Sequence, residues 1–214
     1  MGQIQVQRTF ERRTGELHGS LSGSAPFISL LEDYGKCSIF TVIHGVIDRI
    51  ELIMNVTWKE LTVSFQKHCA DDLLRDWHWL VGNSMQLLIV SSLGDMFLAD
   101  AEGRVFWLDT GAGSLQQVAK GAEDFKQLMQ QRENAAQWFV PQLVGDLIAA
   151  GVLLGAGQCY SYKTPPVLGG QIEPDNFEPT DLSVHFSILG QIHWQVKNLP
   201  PGTSIATIKF EKPR

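Results

Sequence analysis

The sequence has little cysteine and no excess of positive charge. Cys37, Cys69 and Cys159 are far apart and form no CxxC unit, which argues against a disulfide framework and against a zinc-thiolate site. The 17 lysines and arginines are outnumbered by 23 aspartates and glutamates, and the net charge is −6. Because contact with phosphates requires clustered basic side chains, we expect no direct binding of nucleic acid. A mildly acidic surface suits a basic protein partner.

Long apolar runs are also missing. No segment reaches the roughly 18 consecutive apolar residues that a membrane-spanning helix needs. The first residues, "MGQIQVQRTFERRTG", lack the apolar centre of a secretory signal. We therefore expect a cytoplasmic protein that makes no membrane contact.

The common catalytic motifs are absent. There is no HExxH and no GxSxG, and the glycine-rich stretches "GAG" (111–113) and "LGAGQ" (154–158) match neither dinucleotide-binding nor P-loop patterns. No base can be assigned to Cys69 or Cys159, and a cysteine nucleophile requires one. The sequence therefore predicts a protein that is not an enzyme and holds no cofactor.

A change in composition near residue 54 divides the chain. Thr57 and Glu60 have the spacing of a capping box, and Met54 precedes them as a plausible start. We interpret residues 1–53 as an N-terminal extension, disordered or produced by an upstream translation start, and residues 54–214 as the folded domain. A genuine N-terminal subdomain that contains "CSIFTVIHGVIDRI" is the alternative.

The remaining sequence predicts an α+β fold, in which a small antiparallel β-meander packs against several α-helices. Residues 85–119 contain short apolar runs separated by the turns "DAEG" and "DTGAG", as in an antiparallel meander, so Phe97, Leu98, Val105, Trp107 and Leu108 are assigned to a central hairpin with Trp107 buried. The predicted helices include one with Trp58, Leu61 and Phe65 on one face, one over residues 134–151 that Pro141 kinks, and a last one from about Asp181 to Lys197. Residues 153–180 are predicted to be a loop region, and "TSIATIKF" an edge strand.

The last helix carries a second candidate site. Asp181, His185 and His193 are spaced by four and eight residues, so Asp181 and His185 would share one helix face. An enzyme, or a protein that binds a metal or a small ligand through these three side chains, is the alternative function. Structural polar contacts are the more common role of such residues.

Four segments in one order resemble a known family: "DWHWLVG", "LGDMFLADAEGRVFWLDTGAGSLQQVAKGAEDF", "GQCYSYKTPPVLGG" and "DNFEPTDLSVHFSILGQIHWQ". Together they are similar to the C-terminal domain of type VI secretion immunity proteins that protect against DNase toxins. The resemblance extends over roughly residues 55 to 212. It implies a cytoplasmic, non-enzymatic protein that binds and neutralises a cognate toxin effector, which would be basic if it is a DNase.

Within this resemblance, "PPVLGGQIEPDNFEPTDLSVH" (165–185) is the candidate partner-binding segment. Its prolines lower the entropy that is lost on ordering, and Gly169 and Gly170 permit a tight turn. The predicted binding residues include an acidic rim, formed by Glu173, Asp175, Glu178 and Asp181. Phe177 is the predicted apolar anchor, and Ile172 is a second candidate for that role. The alternative is that this segment covers one end of the core, with Asn176 or Asp175 bonded to the backbone.

Overall fold

The structure, a computed structural model, describes residues 56–200 and 202–211 of the 214-residue chain. The predicted extension, residues 1–53, lies outside the described residues, so its interpretation and the boundary at residue 54 stay predictions. The described part is α+β, as expected: a four-stranded antiparallel sheet, a two-stranded antiparallel sheet and helices.

The larger sheet is the predicted meander, and its strands follow one another in space in the order β1-β2-β3-β4. Phe97 pairs with Trp107 across the central hairpin, and Gly103 has a φ of 80° in the turn that joins the two strands. Trp107 is 8% exposed, which confirms the predicted hairpin and its buried tryptophan. The strands are β1 (Gln86–Val90), β2 (Met96–Ala99), β3 (Val105–Asp109) and β4 (Ser114–Ala119).

Both faces of this sheet are covered, because every residue of β2 is buried. The helices are α1 (Trp58–Leu61), α2 (Ala70–Leu74), α3 (His78–Val81), α4 (Ala122–Met129), α5 (Arg132–Phe139), α6 (Pro141–Ala149) and α7 (Leu182–Val196). On one face, Met96 and Leu98 join a core that includes Phe186 of α7. On the other face, the Phe97 ring lies 5.0 Å from Phe125 of α4. Alternate residues of one strand thus bind two helical layers.

The first predicted helix is shorter than expected. Glu60 Oε2 accepts a hydrogen bond from the Thr57 backbone N–H at 2.6 Å, as the capping box requires. The helix nevertheless ends at Leu61, because Thr62 is extended and forms a β-bridge with Ser91. The prediction that Phe65 shares a helix face with Trp58 and Leu61 is therefore wrong.

Pro141 separates two helices, and the prediction of one kinked helix over residues 134–151 is wrong. Helix α5 ends at Phe139, and Val140 has left-handed backbone angles of φ 41° and ψ 59°. Pro141 then occupies the first turn of α6, where the missing N–H of proline costs nothing. The residue before a proline is hindered from adopting helical angles, so the chain changes direction at Val140.

The segment predicted to be a loop over residues 153–180 contains β5 (Gln158–Tyr162) and most of β6 (Phe177–Asp181), which pair antiparallel. The Tyr160 N–H donates to the Ser92 carbonyl at 2.7 Å and joins this pair to the loop after β1. Helix α7 follows β6 directly, with Asp181 as its N-cap and Lys197 as its C-cap. The predicted extent of the last helix is thus confirmed.

No strand forms in residues 202–211, so the predicted edge strand at "TSIATIKF" is wrong. Backbone groups of this C-terminal segment bond instead to the side chains of Gln191 and Gln195 on α7. Side-chain amides thus take the place of a neighbouring strand.

Candidate functional site

Asn176 holds together the loop between β5 and β6. Its Oδ1 accepts from the Thr164 N–H at 2.9 Å, and its Nδ2 donates to the carbonyls of Thr164 and Gln171 at 2.8 and 2.7 Å. The loop also contains two 3₁₀ turns, Pro166–Leu168 and Pro174–Asn176. We refer to residues 165–176 as the acidic loop. The expected backbone bonding by Asn176 is confirmed, and it fixes the shape of the loop.

Gly170 is required by this arrangement. A Cβ at residue 170 would lie 1.7 Å from the Thr164 carbonyl oxygen, a separation that no real side chain tolerates. Gly169 has a φ of 93° at the end of the first 3₁₀ turn, a conformation that glycine adopts without strain. The Gly-Gly pair therefore serves the tight turn and close backbone approach that the sequence predicts.

The four acidic candidates have different surroundings. Glu173 and Asp175 are exposed on the acidic loop, whereas Glu178 is partly buried in β6. Asp181 is exposed but caps α7, since Oδ1 accepts from the Ser183 N–H at 2.9 Å and from the Ser183 hydroxyl at 2.6 Å. Asp181 thus has a structural role, and Glu173 and Asp175 are the acidic side chains that the loop itself presents to solvent.

Phe177, the predicted apolar anchor, lies inside the protein. Its side chain is 2% exposed, and its ring centroid is 4.7 Å from that of Tyr162. As part of β6 it points into the core, so the prediction that it contacts a partner directly is wrong. Ile172 and Val167 are the exposed apolar side chains of the acidic loop, at 60% and 39%. Sequence alone could not rank these three side chains, because their orientation depends on the β5–β6 pairing.

His185 of α7 is buried and hydrogen-bonded at both ring nitrogens. Nε2 lies 3.1 Å from the Gly94 carbonyl oxygen, which can only accept, so Nε2 carries the proton. Nδ1 then accepts from the Ser161 hydroxyl at 2.9 Å. Burial lowers the pKa of His185 to about 4, which keeps the ring neutral.

His193 is also buried, and its ring is tilted against that of Trp77, with centroids 5.5 Å apart. Its Nε2 donates to the Thr110 carbonyl at 3.0 Å, and burial lowers its pKa. Asp181 thus caps its own helix, whereas His185 and His193 both contact Thr110 inside the core and are hydrogen-bonded to protein groups there. In residues 56–200 and 202–211, no group of three or more histidines, cysteines, aspartates or glutamates could hold a metal ion.

Sequence reasoning missed a buried polar network around Thr110. The backbone N–H and the hydroxyl of Thr110 contact Asp95 Oδ1 at 2.9 and 3.0 Å, and the hydroxyl is 3.3 Å from His185 Nε2. Loss of hydration, followed by the negative charge of Asp109, raises the pKa of Asp95 to about 7. No local pattern in the sequence shows that His185 of α7 reaches Thr110.

This network joins α7 to two turns of the meander. Gly94 lies in the turn between β1 and β2, and Thr110 lies in the turn between β3 and β4. The Ser161 hydroxyl bonds to an imidazole, as a catalytic serine would, but Ser161, Thr110 and His185 are all buried. A nucleophile needs access to its substrate. The arrangement instead satisfies polar groups within the core and fixes the position of the helix.

The glycines of "GAG" make room for side chains. A Cβ on Gly111 would lie 2.5 Å from Tyr162 Oη, and one on Gly113 would lie 2.2 Å from His193 Nδ1. These glycines therefore serve packing against Tyr162 and His193. Cys159 is buried, and desolvation raises its thiol pKa, the opposite of what a reactive cysteine requires.

Within the part of the chain that the structure describes, no helix is long and apolar enough to cross a membrane.

Comparison with known proteins finds a family model that matches part of the chain. Residues 119–193 match the family model described as "T6SS immunity protein Tdi1, C-terminal". This match confirms the resemblance to type VI secretion immunity proteins, over a shorter span than the four sequence segments had indicated. It contains α4 to α6, both strands of the smaller sheet, the acidic loop and α7 as far as His193. No curated protein matches the chain.

Proposed function

Since residues 119–193 belong to the C-terminal family of type VI secretion immunity proteins, we propose that this chain binds and neutralises a cognate effector in the cytoplasm. Neutralisation occurs by formation of a protein complex and involves no catalysed reaction. The effector is a basic protein, such as a DNase, whose DNA-binding surface must carry clustered positive charge.

The observation that carries this proposal is the ordered, exposed acidic loop within the family segment. Ile172 and Val167 supply exposed apolar surface beside the carboxylates of Glu173 and Asp175. Because Asn176 bonds already fix the loop, little conformational entropy is lost when it binds. Apolar anchors surrounded by charge are typical of protein interfaces, in which the charges accelerate encounter.

The first experiment tests the immunity role. The chain is co-expressed with the product of its neighbouring gene, one protein is tagged, and the purified material is analysed for a complex. We expect a stable complex and protection of the host cell from the toxicity of the neighbour. A neighbour that is neither toxic nor bound would contradict the proposed function.

The second experiment tests the acidic loop. Glu173→Lys combined with Asp175→Lys should slow association with the effector and weaken its dependence on salt, while the melting temperature changes little. Glu123→Lys combined with Glu133→Lys makes the same charge change at exposed positions on α4 and α5 and is the matched control. Equal binding by both double variants would place the interface elsewhere, and the turn from Asp100 to Arg104 would be examined next.

Ile172→Ala tests the apolar anchor. Removal of a buried interface side chain acts mainly on dissociation, so we expect faster dissociation from the effector at an unchanged association rate. Leu153→Ala is the control, because Leu153 is 68% exposed and lies outside the acidic loop. An unchanged dissociation rate for Ile172→Ala would exclude Ile172 from the interface.

A further inference from the structure

Two glutamines of α7 hold the backbone of the C-terminal segment in the same way. Gln195 Nε2 donates to the Lys209 carbonyl at 2.8 Å, and Gln195 Oε1 accepts from the Lys209 N–H at 3.0 Å. Gln191 Nε2 donates to the Glu211 carbonyl at 3.2 Å, and Gln191 Oε1 accepts from the Glu211 N–H at 2.8 Å. Each amide therefore satisfies both backbone groups of one residue. We call Gln191 and Gln195 the glutamine clamp.

The spacing of the clamp matches an extended chain. Residues four apart on a helix are separated by about 6 Å along its axis. Residues two apart on an extended chain are separated by about 6.6 Å. Gln191 and Gln195 can therefore bond to alternate residues of a peptide that runs antiparallel to α7. Since these bonds involve only backbone groups, they require an N–H at both clamped positions but no particular side chain.

Further hydrogen bonds within α7 and to Asp76 hold the two glutamine side chains in place. Gln191 Nε2 also donates to the Ser187 hydroxyl at 3.0 Å, and Ser187 in turn donates to Asp76 Oδ2 at 2.6 Å. Gln195 Nε2 donates to the Gln191 carbonyl at 3.0 Å. Amides that are fixed before the peptide arrives lose less rotamer entropy on binding.

One side chain of the segment adds selectivity. Ile208, which precedes the first clamped residue, is partly buried and packs against the core cluster that contains Phe186 and Leu189. Lys209 and Glu211 are exposed. The site thus fits an extended segment with an aliphatic residue followed by two clamped residues, of any type except proline, at alternate positions.

We propose that the glutamine clamp is a binding site for extended polypeptide, which residues 208–211 fill within one molecule and which the same residues of a second copy of this chain can fill. The turn before the segment is short: Gly202 has a φ of 80°, and the Thr203 N–H donates to the Pro200 carbonyl at 3.1 Å. Opening this turn and exchanging the segments of two molecules retains every clamp bond, which makes such an exchange a low-cost route to association.

Two complementary full-length variants test the proposal. The first carries Gln191→Ala and Gln195→Ala, so its clamp is lost but its segment is intact. The second carries Lys209→Pro and Glu211→Pro, so its segment has lost both clamped N–H groups but its clamp is intact. In the wild type, the segment is attached to the clamp's own chain, and its effective concentration at the clamp is in the millimolar range. The wild-type protein is therefore expected to be monomeric at micromolar concentrations.

The second variant, labelled with ¹⁵N, is titrated with the unlabelled first variant up to about 1 mM. We expect saturable shifts of the side-chain amide resonances of Gln191 and Gln195. A variant with all four substitutions is the control titrant and should cause no shift. If the first variant gives no more shift than this control, the exchange is refuted.

A peptide of residues 203–211 with a fluorescent label gives a measurement that does not depend on the first variant's folding. It should bind the second variant saturably. The same peptide with proline at the Lys209 and Glu211 positions should bind at least about tenfold more weakly, because the bonds of both N–H groups are lost. Equal affinity of the two peptides would overturn the proposal. Since no effector is used, failure here leaves the proposed immunity function intact.

Discussion

Gly94 and Gly113 show how contact with a helix that is distant in sequence can require glycine at a position. A Cβ on Gly94 would lie 2.1 Å from His185 Nε2, and one on Gly113 would lie 2.2 Å from His193 Nδ1. Both glycines also have positive φ, at 85° and 65°. The turns of the meander therefore accept α7 only because they present bare backbone to its histidine rings.

Gly94→Ala should destabilise the protein by at least about 3 kcal/mol, since it combines a strained backbone angle with a clash against a buried side chain. Gly103→Ala is the matched control: φ is 80° there, and nothing lies within 4 Å of the added Cβ. It should cost only about 1–2 kcal/mol. Urea unfolding of both variants measures the difference, and equal losses would show that the His185 contact does not matter.

Asp95 and His185 have opposite effects on the pH dependence of stability. The pKa of Asp95 rises from 3.8 to about 7 on folding, so its contribution is present below pH 3.8 and is lost as the pH rises towards 7. The pKa of His185 falls from 6.5 to about 4, so its contribution is present above pH 6.5 and is lost as the pH falls towards 4. Between about pH 4 and 6.5 the two slopes oppose each other.

Removal of either group should reveal the slope of the other. Relative to the wild type, Asp95→Asn should make the free energy of unfolding rise with pH between about 4 and 6.5. His185→Gln should make it fall over the same range. Each change is at most about 1.4 kcal/mol per pH unit, which corresponds to one proton. The check is a series of urea titrations at several pH values, and slopes of the same sign in both variants would contradict the assignment.

At the scale of elements, the β2–β3 hairpin is the centre of the meander, and Trp107 is its largest side chain. Trp107→Ala should lower the free energy of unfolding by about 3–5 kcal/mol, because it leaves a cavity in the core. Burial raises the pKa of the Asp95 carboxyl, and the Trp107 indole N–H has a smaller effect in the opposite direction. This N–H makes no hydrogen bond of normal geometry among the described residues. Trp107→Phe, which keeps an aromatic ring without that N–H, should lose clearly less. A Trp107→Ala variant that melts with the wild type would disprove the core role.

At the scale of the whole molecule, a chain that begins at Met54 should fold as stably as the full chain. The capping box at Thr57 and Glu60 marks the start of a helix, and Val56 just before it is already buried. The comparison requires the melting temperature and circular dichroism of both proteins. Insoluble or unfolded short protein would mean that "CSIFTVIHGVIDRI" completes the core.

The sequence by itself determined the elements whose signals are local. Short apolar runs and glycine turns were enough for the meander, and Asp181 to Lys197 was correctly bounded as the last helix. Four ordered segments were enough to predict the resemblance to the immunity family, which the family model matches over residues 119–193. These features depend on neighbouring residues or on residue order, both of which a sequence displays directly.

Only the tertiary structure decided which side chains are available at the candidate site. Pairing of β5 with β6 turned Phe177 inward and left Ile172 exposed. The network of Gly94, Asp95, Thr110 and His185 joins residues separated by as many as 91 positions. Such contacts leave no periodic signal in the sequence, because burial and long-range hydrogen bonding depend on how separate elements meet rather than on local backbone preference.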